Sequence, residues 1–425
     1  MNRTFVCVET KGLFAGRLAA AAAAEGDRLL LVTNSRVPPD SSGDVASLRL
    51  DVRGDTGEVA AAIRARCDDA PPAAVFTNEE IYVTAAAAVA EALGVARNPV
   101  EAVAAARDKA RMKEVWRAAG VSTPSGRHLR SRADLELARF SYPVVVKPTL
   151  GFASCGVRRV DSEDELREQL RRIGLFNATV VAKEGASRGG FLVEQCLKGP
   201  EYAVDTVWFD GDPVCDLVLS RDWEEEQTSP YYPDRLYLLD PALPEERRRT
   251  VLELTHRAVR ALGVSFGPTH TEVRFHDGTP YVLEAAARPG AGGLFYLLPE
   301  QAYGADFPRA VYLSQVCADR AEFDERLGPT EQRAVPPDTS YFLYNVPHKG
   351  SGEVKEIIGL DRLGDRTEVL VCLCVKEPGD RLHPRGDLNS DYFCHVVARH
   401  VDQPGGPTVE ALMETYDGMV DVVYR

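Results

Sequence analysis

The sequence predicts an α/β fold that begins with a parallel sheet covered by helices. Two observations support this class: short apolar runs alternate with helical segments, and several of those segments end at a glycine such as Gly26 or Gly94. The predicted strands are 4–8, 29–33 and 73–77, and the predicted helices are 14–25, 58–66 and 81–93. Such alternation is typical of parallel strands, because each return crossing needs a helix on the sheet.

The rest of the chain changes character after Asn98-Pro99. The predicted elements are a long helix over 100–119, a β-rich stretch over 142–209 with a helix at 162–172, a hairpin at 269–288, a helix at 245–262, strands at 340–345 and 369–375, and a helix near 408–418. We predict four domains: 1–100 (parallel α/β), 101–200 (linker helix and small β-rich lid), 201–320 (α+β core with a metal site) and 321–425 (C-terminal α+β extension).

Composition limits the classes of partner. The chain has 425 residues, 44% hydrophobic, and a formal net charge of −14, which argues against nucleic acid and anionic membranes as partners. The nine cysteines include no C-x-x-C pair, and an odd number suits a reducing cytoplasm better than a disulfide framework. Residues 4–8 resemble a strand more than a signal peptide, and 19–24 is too short to span a bilayer. We therefore expect a cytoplasmic protein that acts on small molecules, and a homodimer is compatible with the sequence.

The segment 142–148 places a lysine, Lys147, at the end of a β-branched run, and a loop of mostly small residues follows at 149–156. Backbone N–H groups in such a loop can approach phosphate oxygens closely. The loop lacks the Gly-Lys-Ser/Thr of a Walker motif, and G-x-G-x-x-G is absent from the segment. Lys147, and Lys109 before it, are therefore candidate phosphate ligands, although a solvated surface charge is the simpler alternative for each.

A second candidate segment follows at 191–202. A strand that stops at Glu194 leaves the backbone groups of 195–197 free to meet an adenine edge, and the carboxylate of Glu201 could accept ribose hydroxyls. The alternative is a strand, a turn and a second strand with exposed acids.

The hairpin at 269–288 predicts a metal site. If its loop has an odd number of residues centred on Gly278, Glu272 lies opposite Glu284, and two facing carboxylates repel unless a divalent cation lies between them. Oxygen ligands of this kind suit Mg²⁺. Arg288 follows four residues after Glu284 and could reach a phosphoryl group. With an even-length turn the two acids would lie on opposite faces.

In this order the candidates resemble an ATP-grasp ligase over roughly residues 100–320. The resemblance implies an ATP site, a metal site for Mg²⁺ (or Mn²⁺) and a catalytic arginine. It assigns Lys109, Lys147 and Ser154 of the closing loop to the phosphates, Glu194, Gln195 and Leu197 to adenine, Glu201 to ribose, Glu272 and Glu284 to the metal, and Arg288 to catalysis. The implied reaction joins a carboxylate, expected to be an amino acid, to an amine through an acylphosphate and releases ADP and phosphate.

The motif departs from many members at one position, because Ala286 stands where Glu-x-Asn-x-Arg has asparagine. The Glu-Ala-Ala-Ala-Arg form resembles bacterial L-amino-acid and dipeptide ligases and their relatives in antibiotic biosynthesis, whose substrate pocket would be lined here by 221–237 and 291–296. Three alternatives stay open: a purine-pathway type of ligase that activates formate or bicarbonate, a catalytically silent nucleotide-binding protein, and an NAD-linked oxidoreductase. The missing G-x-G-x-x-G speaks against the last.

Overall fold

The first hundred residues form the predicted parallel α/β layer. The computed structural model describes residues 3–10, 12–35, 45–67, 69–137, 139–179, 189–221, 230–232, 234–328, 335–384 and 392–425. The first elements are β1 (Thr4–Val8), α1 (Gly12–Ala24), β2 (Arg28–Thr33), β3 (Val45–Arg49), α2 (Thr56–Arg66), β4 (Pro72–Phe76) and α3 (Val83–Leu93). The strands are parallel and lie in the order β3-β2-β1-β4. The sequence did not predict β3, because its half-buried Val-Ala-Ser-Leu-Arg run has no continuous apolar stretch.

The helix predicted over 100–119 is wrong in one respect: it is two helices, α4 (Val100–Arg107) and α5 (Lys109–Ala118). Asp108 separates them in an extended conformation, with φ −97° and ψ 107°, and its carboxylate accepts hydrogen bonds from two backbone N–H groups in the first turn of α5. Aspartate is favoured as a helix N-cap because it satisfies these otherwise unpaired donors. Lys109 is therefore the first residue of a helix and not an interior one.

A small antiparallel sheet follows, with one helix on its face. Its elements are β5 (Gly126–Leu129), β6 (Val144–Pro148), β7 (Arg158–Val160), α6 (Glu163–Thr179) and β8 (Phe191–Gln195), with strand order β5-β8-β6-β7. Leu166, Leu170 and Ile173 repeat at helical spacing on α6 and pack with Val146 and Val193 of the sheet. We refer to this layer as the lid sheet.

An eight-stranded sheet forms the centre of the molecule. Its strands are β9 (Glu201–Phe209), β10 (Asp212–Arg221), β11 (Leu236–Leu239), β12 (Gly267–His276), β13 (Thr279–Ala286), β14 (Thr339–Pro347), β16 (Val369–Cys374) and β18 (Tyr392–Val401), in the order β13-β12-β9-β10-β11-β14-β18-β16. Strands from both sides of the predicted boundary at 320 share this sheet. The division into four domains stays a prediction.

The remaining elements cover the central sheet and its C-terminal end. They are α7 (Glu245–Leu262), α8 (Leu297–Tyr303), α9 (Phe307–Val316), α10 (Arg320–Leu327), β15 (Gly352–Ile358), α11 (Leu360–Gly364), β17 (Arg381–Leu382), α12 (Val409–Met419) and β19 (Asp421–Tyr424). Strands β17, β15 and β19 form a separate three-stranded sheet. No helix among the described residues is long and apolar enough to cross a membrane.

Helix α7 determines which face of the central sheet is available for a ligand. Its residues Val251, Leu254 and Val259 share a buried cluster with Val204 of β9 and Val273 of β12. Successive side chains of a strand point to opposite faces. Neighbouring positions on β9 and β12, such as 203 and 272, therefore point away from α7.

Candidate active site

Ten side chains predicted from the sequence line one cavity of about 440 Å³. They are Lys109, Lys147, Ser154, Glu194, Gln195, Leu197, Glu201, Glu272, Glu284 and Arg288. The lid sheet, the central sheet, the segment 78–80 after β4 and the C-terminal strands all contribute walls. The structure thus brings together residues that are up to 179 positions apart in the chain, counted from Lys109 to Arg288.

One wall carries two lysines on either side of a buried glutamate. The Nζ of Lys147 lies 2.7 Å from Glu194 Oε2, and the Nζ of Lys113 lies 3.0 Å from Glu194 Oε1. Burial opposes ionisation of Glu194, but the two ammonium groups outweigh it and lower its pKa. Lys147 and Glu194 are 7% and 2% exposed, so the alternatives of a solvated lysine and an exposed acid are wrong here.

Lys113 was not among the residues predicted from the sequence. It lies four residues after Lys109 on α5, at a spacing that places two side chains on one helix face, and this was the available signal. Its ammonium also donates to the hydroxyl of Thr123 (2.7 Å) and to the carbonyl of Val282 (3.3 Å). Burial lowers the pKa of Lys113 to about 8, although Glu194 acts in the opposite direction.

The start of α5 holds the loop that follows Lys147. The Nζ of Lys109 donates to the carbonyl of Gly151 (3.1 Å), and the guanidinium of Arg107 donates to the carbonyls of Leu150 (2.8 Å) and Gly151 (3.1 Å). Farther along, Ser154 has a left-handed conformation with φ 54°, a costly state for a residue other than glycine. Hydrogen bonds therefore fix the beginning of the loop, and its backbone is strained near the predicted phosphate contact.

The two predicted metal ligands do lie opposite each other, but not for the predicted reason. The β12–β13 turn has two residues, since His276 pairs with Thr279, and an even-length turn alone would separate the acids. A β-bulge between Glu272 and Val273 shifts the register, so that Glu272 pairs with Glu284. Leu283 is the extra residue on β13. Bulges of this kind redirect side chains and are frequent beside active sites.

The facing carboxylates could serve as part of a metal site. Glu284 Oε1 lies 2.7 Å from the Nζ of Lys109, which balances its charge and, against the effect of burial, lowers its pKa. No group of three or more His, Cys, Asp or Glu side chains that could hold a metal occurs among the described residues. Ala286 is buried at 3% exposure and offers no side-chain oxygen. The donor set thus fits a cation that takes its other ligands from phosphate and water.

Glu201 lies in the cavity wall between two arginines. Its carboxylate accepts hydrogen bonds from Arg221 and from the Nε of Arg274 (2.9 Å), and Arg221 also contacts Asp234 Oδ1 at 2.6 Å. Burial alone would raise the pKa of Glu201, but the two guanidinium groups lower it to about 2. Glu201 is 2% exposed, so the alternative of an exposed acid is wrong for this residue as well. Both carboxylate oxygens are occupied in this structure, and the predicted ribose contact stays a prediction.

Arg288 is held beside the N-terminal domain. Its Nε donates to Glu80 Oε2 at 2.6 Å, and Arg107 lies 3.8 Å from the other oxygen of Glu80. Burial opposes the charge of Arg288, whereas Glu80 raises its pKa. Its side chain is 16% exposed and lines the cavity. The sequence did not point to Glu80, because its partner lies 208 positions away.

A further pair, His270 and Asp205, lies beside Glu272, one of the predicted metal ligands. The ring Nδ1 of His270 lies 2.8 Å from Asp205 Oδ1, and Asp205 Oδ2 accepts the backbone N–H of Gly290 (2.8 Å). Burial opposes protonation of His270, but the hydrogen bond to Asp205 and the nearby carboxylate of Glu272, 3.9 Å from Nε2, raise its pKa to about 9. Gly290 is required here, because an added Cβ would lie 2.5 Å from His270 Nδ1. The hydrogen bond from Gly290 to Asp205 fixes the backbone two residues after Arg288.

The predicted substrate segments contribute only in part. Residues of these segments that line the cavity are Arg221, Tyr232, Asp234, Tyr237, Ala291, Gly292, Leu294 and Phe295. Tyr296 lies in a hydrophobic core cluster, and 222–229 and 233 lie outside the described residues.

C-terminal residues, which the sequence did not predict, form a further wall of the cavity. There Asn345 donates its amide N–H to the carbonyl of Asp234, and its Oδ1 lies 2.7 Å from the Nδ1 of His395. The side-chain oxygen of Asn345 faces the imidazole and can only accept a hydrogen bond. His395 therefore carries its proton on Nδ1. Burial lowers the pKa of His395 to about 4, so the ring is neutral at pH 7.

Part of the chain matches a known domain family, and known proteins resemble it. Residues 140–295 match the family model of the ATP-grasp domain. A D-alanine–D-alanine ligase of Pseudomonas fluorescens is 28% identical over 44% of this chain and 56% of its own length. An alanine–anticapsin ligase of Bacillus subtilis is 24% identical over 51% of this chain and 48% of its own length. The chain thus spans about half the length of these curated relatives.

The likeness to solved structures extends over the whole chain. The L-amino acid ligase from Bacillus licheniformis superposes with a TM-score of 0.83 and 25% identity, covering 100% of this chain and 99% of that one. The N5-carboxyaminoimidazole ribonucleotide synthetase from Thermotoga maritima gives a TM-score of 0.69 at 14% identity, covering 100% of both chains. The second likeness shows the fold alone. The predicted α/β fold with an ATP-grasp domain is confirmed.

Proposed function

We propose that this protein is an ATP-dependent ligase that joins the carboxylate of an amino acid to an amine and forms ADP and phosphate. One observation carries the proposal: lysines suited to phosphate and two opposed carboxylates suited to Mg²⁺ line the same cavity, with Arg288 at its edge. The full-length likeness to an L-amino acid ligase supports an amino acid as the acid.

The ion pair between Lys109 and Glu284 indicates how the site would accept ATP. The two side chains are 2.7 Å apart and balance each other's charge in the protein alone. When bound, Mg²⁺ would neutralise phosphate charge, with Glu272 and Glu284 as its protein ligands. Lys109 would then be released to a phosphate oxygen, and Lys147 would donate to the same chain of phosphates.

The chemistry would proceed in two displacements. A carboxylate oxygen of the amino acid attacks the γ-phosphorus, the bond to the ADP oxygen breaks, and an acylphosphate forms. The neutral amine then attacks the acyl carbon, the bond to phosphate oxygen breaks, and the amine loses its proton to water. The planar fork of Arg288 is suited to the charge that develops between the transferred phosphoryl group and the acyl oxygen. Such a reaction depends mainly on positioning and charge neutralisation.

A screen of amino acid pairs with ATP and Mg²⁺ tests the proposal. We expect ADP formation that depends on an amino acid and equals the amide detected by mass spectrometry. Glu284→Gln should abolish this turnover, whereas Glu163→Gln, whose side chain is 59% exposed on α6, should retain it. ADP formation that depends on bicarbonate or formate would favour the alternative ligase. ATP binding without turnover under every condition would favour a silent nucleotide-binding protein.

The partners that we propose follow from the same site. Small-molecule amino acids and amines fit a cavity of about 440 Å³. We also propose a cytoplasmic location, which the nine free cysteines support. A homodimer stays a prediction from the sequence.

A further inference from the structure

Lys113 has no contact with the cavity, yet it is part of the site's charge. It is 0% exposed, its ammonium forms an ion pair with Glu194 (3.0 Å), and it donates to the hydroxyl of Thr123 (2.7 Å) and the carbonyl of Val282 (3.3 Å). An ammonium group has three donors and no acceptor. Lys113 is therefore held behind the wall by one ion pair and two hydrogen bonds, and it would not reach a nucleotide without giving up one of these contacts.

The charge of the cluster depends on Lys113. Glu194 contacts both Lys113 and Lys147, and the three residues are at most 7% exposed. Two ammonium groups and one carboxylate leave one net positive charge, and Lys147 is the cation of the two that lines the cavity. Without Lys113, Lys147 and Glu194 would form a neutral pair at 2.7 Å, and in a buried setting such a pair attracts strongly.

Stabilisation of the fold does not by itself explain why a second lysine is buried beside Glu194. Buried ion pairs are often no more stabilising than apolar side chains of similar size, because both charges lose their hydration. Lys113 lies on a helix face that packs in an apolar cluster with Met112 and Trp116 close by. A methionine at this position would satisfy the packing but would leave Glu194 with a single cation.

We propose that Lys113 is a positioning residue that neutralises Glu194, so that the ammonium of Lys147 remains available to an anionic phosphate of the nucleotide. The inference rests on the proposed function, since it assumes that a nucleoside triphosphate occupies the cavity. It assigns no contact between Lys113 and the ligand. Its effect reaches the phosphates through Glu194 and Lys147.

The inference predicts a specific pattern in binding measurements. Lys113→Met should weaken ATP binding by about 10- to 100-fold, the value of one charge-assisted hydrogen bond. Binding of adenosine, which has no phosphate, should not change. In a Glu194→Gln background the same Lys113→Met change should weaken ATP binding by less than about threefold, because the acid that captures Lys147 is then absent.

The experiment is a double-mutant cycle in which dissociation constants for ATP and adenosine are measured by calorimetry. Lys355→Met, an exposed lysine on β15, is the matched control and should bind as the wild type does. If Lys113→Met does not fold, as judged by its thermal transition, Lys113→Gln keeps hydrogen-bonding groups without the charge and takes its place. It should show the same selective loss of ATP binding.

Two results would overturn the inference. The first is an equal loss of ATP and adenosine binding, which would indicate a general structural role for Lys113. The second is an equal effect of Lys113→Met in both backgrounds, which would show that Glu194 does not mediate it. A wild-type protein that binds no ATP would instead refute the proposed function, and this inference with it.

Discussion

Replacement of Glu201 by glutamine should destabilise the protein strongly, even though the side chains have the same shape. The carboxylate of Glu201 is 2% exposed and accepts hydrogen bonds from Arg221 and Arg274. Arg221 would keep its contact with Asp234 at 2.6 Å. The substitution would remove the ionised carboxylate to which both buried guanidinium groups donate.

Two routes give a similar magnitude for this loss. Removing one partner of a buried ion pair typically costs about 3–5 kcal/mol. The pKa of Glu201 is about 2, against an ordinary value of 4.5. At about 1.4 kcal/mol for each pKa unit, this difference corresponds to about 3–4 kcal/mol of unfolding free energy that depends on the ionised carboxylate. We therefore expect a loss of about 3–4 kcal/mol at pH 7.

Urea unfolding measures this loss. Trp208 is buried on β9, the strand that begins with Glu201, so its fluorescence should report the unfolding of that strand. Glu163→Gln is the control: the Glu163–Arg167 pair is exposed and should contribute at most about 1 kcal/mol. A Glu201→Gln midpoint that shifts no more than the control's would refute the reasoning, since Glu201 would then not be the counter-ion of a buried cluster.

The same residue predicts a pH dependence with a definite sign. Because the native pKa of Glu201 is lower than that of the unfolded chain, the unfolded chain binds more protons between about pH 4.5 and pH 2. This contribution to stability is therefore present above pH 4.5 and is lost as the pH falls toward 2. The difference in unfolding free energy between wild type and Glu201→Gln should shrink over that window.

Three further outcomes are expected. Glu284→Gln should lower turnover by orders of magnitude while the protein stays folded, although loss of the ion pair with the buried Lys109 should lower its urea midpoint; a cooperative urea transition checks that it is folded. Hydrogen exchange in the loop 149–156 should slow when ATP and Mg²⁺ are added, whereas Gly12–Ala24 should show little change; equal protection in both states would count against a phosphate role for the loop. Arg288→Lys should depress kcat more than it raises the KM for ATP, because it keeps the charge but loses the bidentate fork. A pure KM effect would mean that Arg288 only holds nucleotide.

Local sequence signals predicted most elements and their ends. The helix predicted over 245–262 is observed at those residues and ends at Gly263 in a left-handed conformation, with φ 81°. Such a cap is encoded locally, because glycine adopts positive φ without a Cβ penalty. The break at Asp108 was equally local, but the long apolar periodicity on either side concealed it. The half-buried strand β3 gave no periodic signal.

The sequence predicted many of the residues that line the candidate site, but it did not predict which of them pair with each other. Glu272 and Glu284 meet because a bulge compensates for a two-residue turn, and sequence spacing alone does not show a bulge. Glu201 has Arg221 and Arg274 as partners because β9 lies between β10 and β12. Strand order and register determine such charge pairs, and both depend on contacts far apart in sequence. The C-terminal contribution of His395 was not foreseen for the same reason.

The central claim is that the cavity activates a carboxylate as an acylphosphate, and an isotope-transfer measurement tests it most directly. The protein would be incubated with ATP, Mg²⁺, an amine and an amino acid substrate labelled with ¹⁸O in its carboxylate. The account predicts that each phosphate released in step with amide formation carries one ¹⁸O atom from the acid, and that Glu284→Gln releases none. Unlabelled phosphate that accompanies amide formation would contradict the account, because the acid oxygen would then never have been bonded to phosphorus.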